Sequence, residues 1–454
     1  MMRQPHSAQL ARAAVTILVL ISQCAVVQGW FAGARAKHAS LQSMAHCQEL
    51  FAAYADTPGA TPDVAEQRSI VTGKSSWSAT DGFRDTSFIS FADEAYAAMR
   101  DDESRTPQFA AAIQARLEEA PANTLVVLDI GTGPHAVLAL LAARSGARKV
   151  YAIEASHQAA CRARATVESA GFQGVVEVIE GFSTSVELPE KVDLVVSEIV
   201  GSIASEEGVY ASIKDAHERF VKSPLDPASW IPCQIETWGV PCSYALQYAL
   251  GGEHYDWGCI REPLRLNCRD GLVLPLHDTA QLVESIDFTD PNLPSADASP
   301  RPVESVFVVE EERLRHNERR YFDMLCTEGV EPQAARLHAG RAARGLSGLA
   351  MWCRLTLRQG RPRGKVAVHE AAAGDVEEIV VETRGAGAGG ASGEPGDSCW
   401  QTVLPLLDGR PVTVTAGSVI RTRATVELPG GVDDPLQYSV DVHVLSPEAQ
   451  AIDG

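Results

Sequence analysis

From Leu125 to Val221 the chain alternates between short apolar runs and helical stretches, and this alternation restricts its fold more than any other feature. "LVVLDIG" has the length and apolarity of a buried strand. "AVLALLAARSG" reads as a helix stopped by Gly146, and "KVYAIE" as a second strand. "SHQAACRARATVESAG" is a helix ending at Gly171; "VVEVIEG" and "KVDLVVSEIVG" are strands, and "YASIKDAHERFV" closes the series as a helix. Strands separated by helices pair in parallel, and the helices cover both faces of the sheet. The pattern predicts an open, doubly wound α/β (Rossmann-like) domain over residues 80–230, with "FADEAYAAM" and "FAAAIQARLEEA" as helices ahead of its first strand.

Beyond Pro224–Pro232 the texture changes. "WIPCQIETWGVPC", "SGLAMWCRLTLRQ", "KVAVHE", "EEIVVETR", "CWQTVLPL", "PVTVTAGSVIRTRATVEL" and "LQYSVDVHVL" are β-type runs punctuated by Gly, Pro and Asp. They predict a mostly antiparallel barrel or sandwich over 231–450. Two insertions interrupt it, at 287–344 and 384–398. The first opens with a Pro/Ser/Asp-rich loop and continues as the charged helix "EEERLRHNERRYFDML", expected to be an exposed arm; the second is Gly/Ala/Ser-rich.

The first acid of the chain is Glu49, and Arg3 and Arg12 precede an uncharged run centred on "AAVTILVLISQCAVV". Residues 1–45 therefore read as a leader: a signal peptide, a membrane anchor or an organelle-targeting segment. A formal net charge of -20, with no basic stripe to offset phosphate repulsion, argues against direct nucleic-acid binding and suits a cationic partner. The 10 cysteines form no C-x-x-C pair, so metal and dithiol redox chemistry have no support; reduced core thiols are expected.

The first strand runs into Asp129-Ile130-Gly131-Thr132-Gly133. Glycines at such a turn let the backbone approach a ligand at the N-terminus of the next helix. Glu154 ends the second strand, where an acid can accept hydrogen bonds from both ribose hydroxyls. The frame fits an adenosine-bearing ligand. Pro134 and His135 follow, and no later segment resembles a nicotinamide site, so the Asp-x-Gly-x-Gly form points to S-adenosylmethionine.

The strand "KVDLVV" delivers the acidic stretch "SEIVGSIASEE", Ser197 to Glu207. Two carboxylates on one loop beyond a strand end suit the methylation of a guanidinium. That group is cationic with delocalised lone pairs. Charge-assisted hydrogen bonds donated by its N–H groups to two carboxylates fix its plane and draw positive charge toward one nitrogen, leaving the other more nucleophilic.

Here the sequence resembles the protein arginine methyltransferases. Their double-E loop, S-E-(eight residues)-E, matches with Glu198 and Glu207 as the catalytic pair, and Glu206 has the wrong spacing. "YAAMRDDESRTPQF" is similar to the family's cofactor-contacting helix. The resemblance implies cofactor-binding roles for Met99, Arg105 (on the methionine carboxylate), Asp129, Gly131, Gly133 and Glu154. It also implies a barrel domain, an arginine-containing and Arg/Gly-rich protein substrate, and homodimerisation. Departures are equally specific. His135 stands at the third motif glycine, Ser185 at the usual adenine-side acid, and Ser398-Cys399-Trp400 at a Thr-His-Trp loop that shapes the substrate pocket. Two other readings fit the same residues: a class I methyltransferase with a different substrate, and a scaffold that keeps the fold for interaction.

Overall fold

The computed structural model describes residues 71–78, 93–250, 256–260, 262–268, 270–293, 302–359, 378–382, 400–427 and 436–447. The leader at 1–45, the Gly-rich insertion at 384–398 and Cys399 lie outside the described residues. In chain order the elements that frame the site are β1 (Val71–Ser78), α1 (Asp93–Asp101), α2 (Thr106–Glu118), β2 (Val126–Ile130), α3 (Val137–Arg144), β3 (Lys149–Glu154) and α4 (His157–Ser169). β4 (Val176–Glu180), β5 (Leu194–Ser197), α5 (Val209–Asp215), β6 (Trp230–Ile231) and β7 (Gln234–Tyr244) follow.

Five strands form a parallel sheet in the order β4-β3-β2-β5-β6. Every residue of β2 and of β5 is buried, as a central strand covered on both faces requires. Helix α2 contributes Phe109, Ala112, Ile113 and Leu117 to this core. The chain runs from β2 outward through β3 to β4, and returns to β5 on the other side of β2. The direction of winding thus reverses between β2 and β5, and a crevice opens there beyond the strand ends.

Register decides which residues face that crevice. Ile130 of β2 pairs with Ile153 of β3 and with Ser197 of β5. The next residue of each strand or of the loop after it is therefore Glu154, Gly131 or Glu198. Three residues far apart in sequence stand side by side, with neighbouring strands about 5 Å apart. The glycines that end the helices and turns do so in the left-handed region: φ is +93° at Gly146 and +78° at Gly171.

β6 leaves the parallel sheet at Ile231, and β7 begins the antiparallel region three residues later. β7 lies between the strands Gln281–Asp287 and Gly348–Arg358 in a seven-stranded sheet. A second sheet of four strands runs β1, Gln437–Leu445, Val419–Glu427 and Val303–Val308. β1 is the unexpected member. It precedes the α/β region in sequence, yet its residues pair antiparallel with Gln437–Leu445 near the other end of the chain.

The charged helix of the first insertion, Glu311–Thr327, corrects the expectation of an exposed arm. Leu314, Tyr321 and Leu325 line one buried face. Tyr321 and Leu325 pack with Ala335 and Ala339 of the following helix and with Val240, Trp257 and Leu274 of the barrel. Most of its charges face away from this core, while Arg313 is largely buried and pairs with Asp278. Free cysteines occur at 161, 233, 242, 259, 268, 326 and 353 among the described residues, in keeping with reduced thiols.

Candidate active site

The glycine turn after β2 is shaped for close approach. Gly131 has φ +76° and Gly133 φ +63°, both costly for a residue with a Cβ. A Cβ on Gly131 would lie 2.8 Å from Cγ2 of Ile199, and one on Gly133 would meet the ring of Tyr96 at 3.7 Å. The turn is therefore pressed between helix α1 and the acidic loop after β5. Glu154 sits beside it and is almost fully buried. Its Oε2 accepts from Gly133 N at 2.8 Å and its Oε1 from Ser156 N at 2.8 Å. Each oxygen keeps a second lone pair for a ribose hydroxyl.

Asp129 has a structural task. It is 1% exposed, and its Oδ2 accepts from Thr132 Oγ1 at 2.6 Å and from Ala139 N at 3.0 Å, fixing the turn to the start of α3. Its Oδ1 has no hydrogen-bond partner, and burial pushes its carboxyl up to about 7. Ser185 is exposed, its hydroxyl donated to Phe182 O at 3.1 Å. With Ser185 N donating to the same oxygen at 3.0 Å, these bonds close the turn at 182–185. His135 is half-buried, within reach of the charges of Arg100 on α1 and Arg162 on α4. Burial, then Arg100 and Arg162, hold its pKa below the usual imidazole value, and its Nε2 is buried without a partner.

The expected catalytic pair comes with Arg105. Glu198 forms an ion pair and a hydrogen bond with Arg105, both side chains nearly buried. Arg105 Nη1 also donates to Met99 O at 3.2 Å, and its guanidinium carbon lies 5.8 Å from the ring centre of Trp400. Trp400 is itself buried. The structure thus brings Met99, Arg105, Glu198 and Trp400 together from α1, the turn before α2, the β5 loop and the edge of a barrel strand. Burial raises the Glu198 carboxyl more than Arg105 lowers it.

Glu207 is pushed up to about 8, first by burial and then by the neighbouring charges of Glu198 and Glu206. No hydrogen bond to its carboxylate is found among the described residues. Glu206 is occupied elsewhere. Arg265 donates to it through Nη2 at 2.6 Å and Nη1 at 3.1 Å, and Ile203 N donates to its Oε2 at 3.1 Å. One glutamate of the loop is tied to the barrel, one to Arg105, and Glu207 has no such tie.

Several residues around the site were not singled out from sequence: Tyr96 against Gly133, Ile199 against Gly131, and Arg265, Glu284, Tyr210 and Tyr438 behind the acidic loop. Glu284 carried a legible signal. In the alternating strand "QLVESID" it falls on the same face as the buried Ile286. An acid on an inward-facing position needs partners.

A parallel sheet with this strand order, a two-glycine turn after its first strand and an acid ending the second define the class I, S-adenosylmethionine-type methyltransferase fold. The comparisons narrow this. Residues 90–224 match the family described as PRMT5 arginine-N-methyltransferase. Protein arginine N-methyltransferase PRMT10 of Arabidopsis thaliana is 45% identical over 96 residues, 21% of this chain and 24% of that protein. The PRMT10 of Oryza sativa subsp. japonica is 33% identical over 162 residues, 36% of this chain and 37% of that one. The chain thus matches only about a quarter to two-fifths of the length of these relatives. Among solved structures, Arabidopsis thaliana protein arginine methyltransferase 10 superposes with a TM-score of 0.53 at 19% identity, covering 78% of this chain and 93% of that one. The PRMT1 enzyme-prozyme heterotetrameric complex of Trypanosoma brucei, solved with AdoHcy, gives a TM-score of 0.50 at 19% identity, covering 73% and 87%. Over residues 90–224 the chain is thus similar to the protein arginine N-methyltransferases.

Proposed function

We propose that the protein transfers a methyl group from S-adenosylmethionine to a guanidinium nitrogen of arginine in a protein substrate. The observation that carries the reading is the register at the sheet's open end, which aligns Glu154, Gly131 and Glu198, with Glu207 on the same loop as Glu198. The residues present fit the methyl donor. A Cβ would fill the cradle at Gly131, Glu154 retains acceptor capacity beside it, and Arg105 and Met99 flank the side toward Glu198. The donor, when bound, supplies an electrophilic methyl group on a sulfonium.

The chain's own residues would do the rest. Glu198 and Glu207 accept the N–H groups of the substrate guanidinium, holding its plane and drawing positive charge toward the nitrogen they grip. The other nitrogen is thereby aimed and made more electron-rich, and positioning supplies most of the rate. A buried, paired-acid pocket favours a cation over a neutral acceptor, which distinguishes this reading from a class I enzyme with another substrate. Arg105 has two claimants, Glu198 and the donor's carboxylate. Drawing Arg105 toward the second leaves Glu198 an oxygen for the incoming guanidinium.

The test uses labelled methyl donor with an Arg/Gly-rich peptide, and mass spectrometry of the products. Methylarginine from the wild type, with turnover lowered about 100-fold or more in Glu198→Gln at unchanged circular dichroism, supports the reading. Donor binding without methylarginine would overturn it.

A further inference from the structure

Behind the acidic loop lies a buried polar cluster that the transfer itself does not use. Glu284, on the strand Gln281–Asp287, is 5% exposed. Its Oε2 accepts from Ser205 Oγ at 3.0 Å and from Thr237 Oγ1 at 3.3 Å, and its Oε1 from Tyr210 OH at 3.1 Å. The hydroxyl of Tyr438 lies 2.9 Å from Ser205 Oγ. Since Ser205 spends its own hydrogen on Glu284, Tyr438 is the donor in that pair. Thr237 likewise donates to Glu284 while accepting from Ala204 N at 3.0 Å. All these chains end on one carboxylate, the only group in the cluster able to accept three hydrogen bonds while donating none.

The next residue along repeats the arrangement with the signs reversed. Glu206, with 6% of its side chain exposed, is gripped through both oxygens by Arg265 of the strand Leu264–Asn267. Three consecutive residues, Ala204, Ser205 and Glu206, are therefore each fastened to a different barrel strand, and Tyr438 reaches Ser205 from a fourth. The residue that follows is Glu207, which has no fastening of its own among the described residues. Arg265 also acts on it directly, its charge opposing the rise in the Glu207 pKa.

We propose that the barrel positions Glu207 through this anchorage, with Glu284 and Arg265 as positioning residues that set where the second carboxylate meets the substrate guanidinium. The proposal rests on reading Glu207 as a substrate-gripping group. Fusion of an α/β domain to a barrel then has a catalytic meaning: half of the acidic pair takes its coordinates from the sheet, through Glu198 at the end of β5, and half from the barrel. Burial raises the Glu284 carboxyl to about 7, while the hydroxyls of Ser205, Tyr210 and Thr237 favour its ionised form. A glutamine offers one acceptor oxygen and a misdirected NH2, so it cannot reproduce the cluster.

The test compares full-length wild type with Glu284→Gln, Tyr438→Phe, Arg265→Lys and Arg265→Met. It measures kcat and KM for peptide, donor affinity by calorimetry, and deuterium exchange of amides 203–208 against those of 126–130. The proposal expects kcat/KM for peptide to fall about 100-fold in Glu284→Gln and Arg265→Met, as a displacement near 1 Å does. Donor affinity should hold to within about twofold, with partial rescue in Arg265→Lys. Exchange at 203–208 should quicken in Glu284→Gln and Tyr438→Phe while 126–130 stays protected. Unchanged exchange at 203–208 would overturn the anchorage, and donor affinity falling in step with kcat would reduce it to general support of the fold. If the wild type binds donor yet methylates no arginine, the proposed activity fails, and exchange at 203–208 still decides the anchorage by itself.

Discussion

Glu207 shows what a single position gains from its surroundings. As an isolated residue it is an acid of ordinary strength. In place, burial and two acidic neighbours lift it to about 8. The proposed role in guanidinium binding needs the ionised form, so kcat/KM for an arginine peptide should rise with pH and level off above about 8, a limb that Glu207→Gln would remove along with most activity. Stability runs the other way. Glu207, Glu284 and Asp129, raised to about 8, 7 and 7, bind protons more tightly folded than unfolded. Their contribution is full below the ordinary carboxylate pKa and is lost as pH rises through those values. The Tm should therefore be higher at pH 5.5 than at pH 8.5 at constant ionic strength, and the difference should shrink in Glu207→Gln. A pH-independent Tm would refute these assignments.

Among elements, the turn after β2 and the loop after β5 matter most, and they depend on each other. The sequence marked both, Gly131 and Gly133 by residue type, Glu198 and Glu207 by spacing. Their contact through Ile199 was not legible, because it arises only when β2 and β5 pair in register. Gly131→Ala should lose about 1–2 kcal/mol of stability from its positive φ, and more from the clash with Ile199. Adding Ile199→Ala should recover the clash but not the strain, which a double-mutant cycle in urea would separate. The helix Glu311–Thr327 teaches a different lesson. Its charges dominate by number and suggested an exposed arm. Yet Leu314, Tyr321 and Leu325 recur at helical spacing, and that stripe decides its burial.

At the scale of the whole molecule, the parts of the site come from segments that folding must gather. Arg105 precedes the sheet, Glu198 follows its fourth strand, and Trp400 arrives with the barrel. The proposed sharing of Arg105 between Glu198 and the donor's carboxylate predicts that donor and peptide bind cooperatively: S-adenosylhomocysteine should tighten an arginine peptide several-fold, on the order of 1 kcal/mol of coupling, measured by calorimetry with and without it. Equal affinities would remove Arg105 from that role. β1 closes the structure in the same long-range way, its backbone paired along the strand Gln437–Leu445. A chain beginning at residue 79 should melt on the order of 5 °C or more below one beginning at 71, since an inner strand becomes an open edge. The sequence alone determined the alternation of strands and helices, the glycine turn, the paired acids and the antiparallel region. Each of these is written in local periodicity or in a fixed spacing. Only the tertiary structure decided that β1 belongs with the barrel, that Asp129 braces a turn, that Arg105 holds Glu198, and that Glu206 is spent on Arg265. Those outcomes depend on pairing and burial between distant segments, and a buried charge takes whichever partner the packing brings within reach.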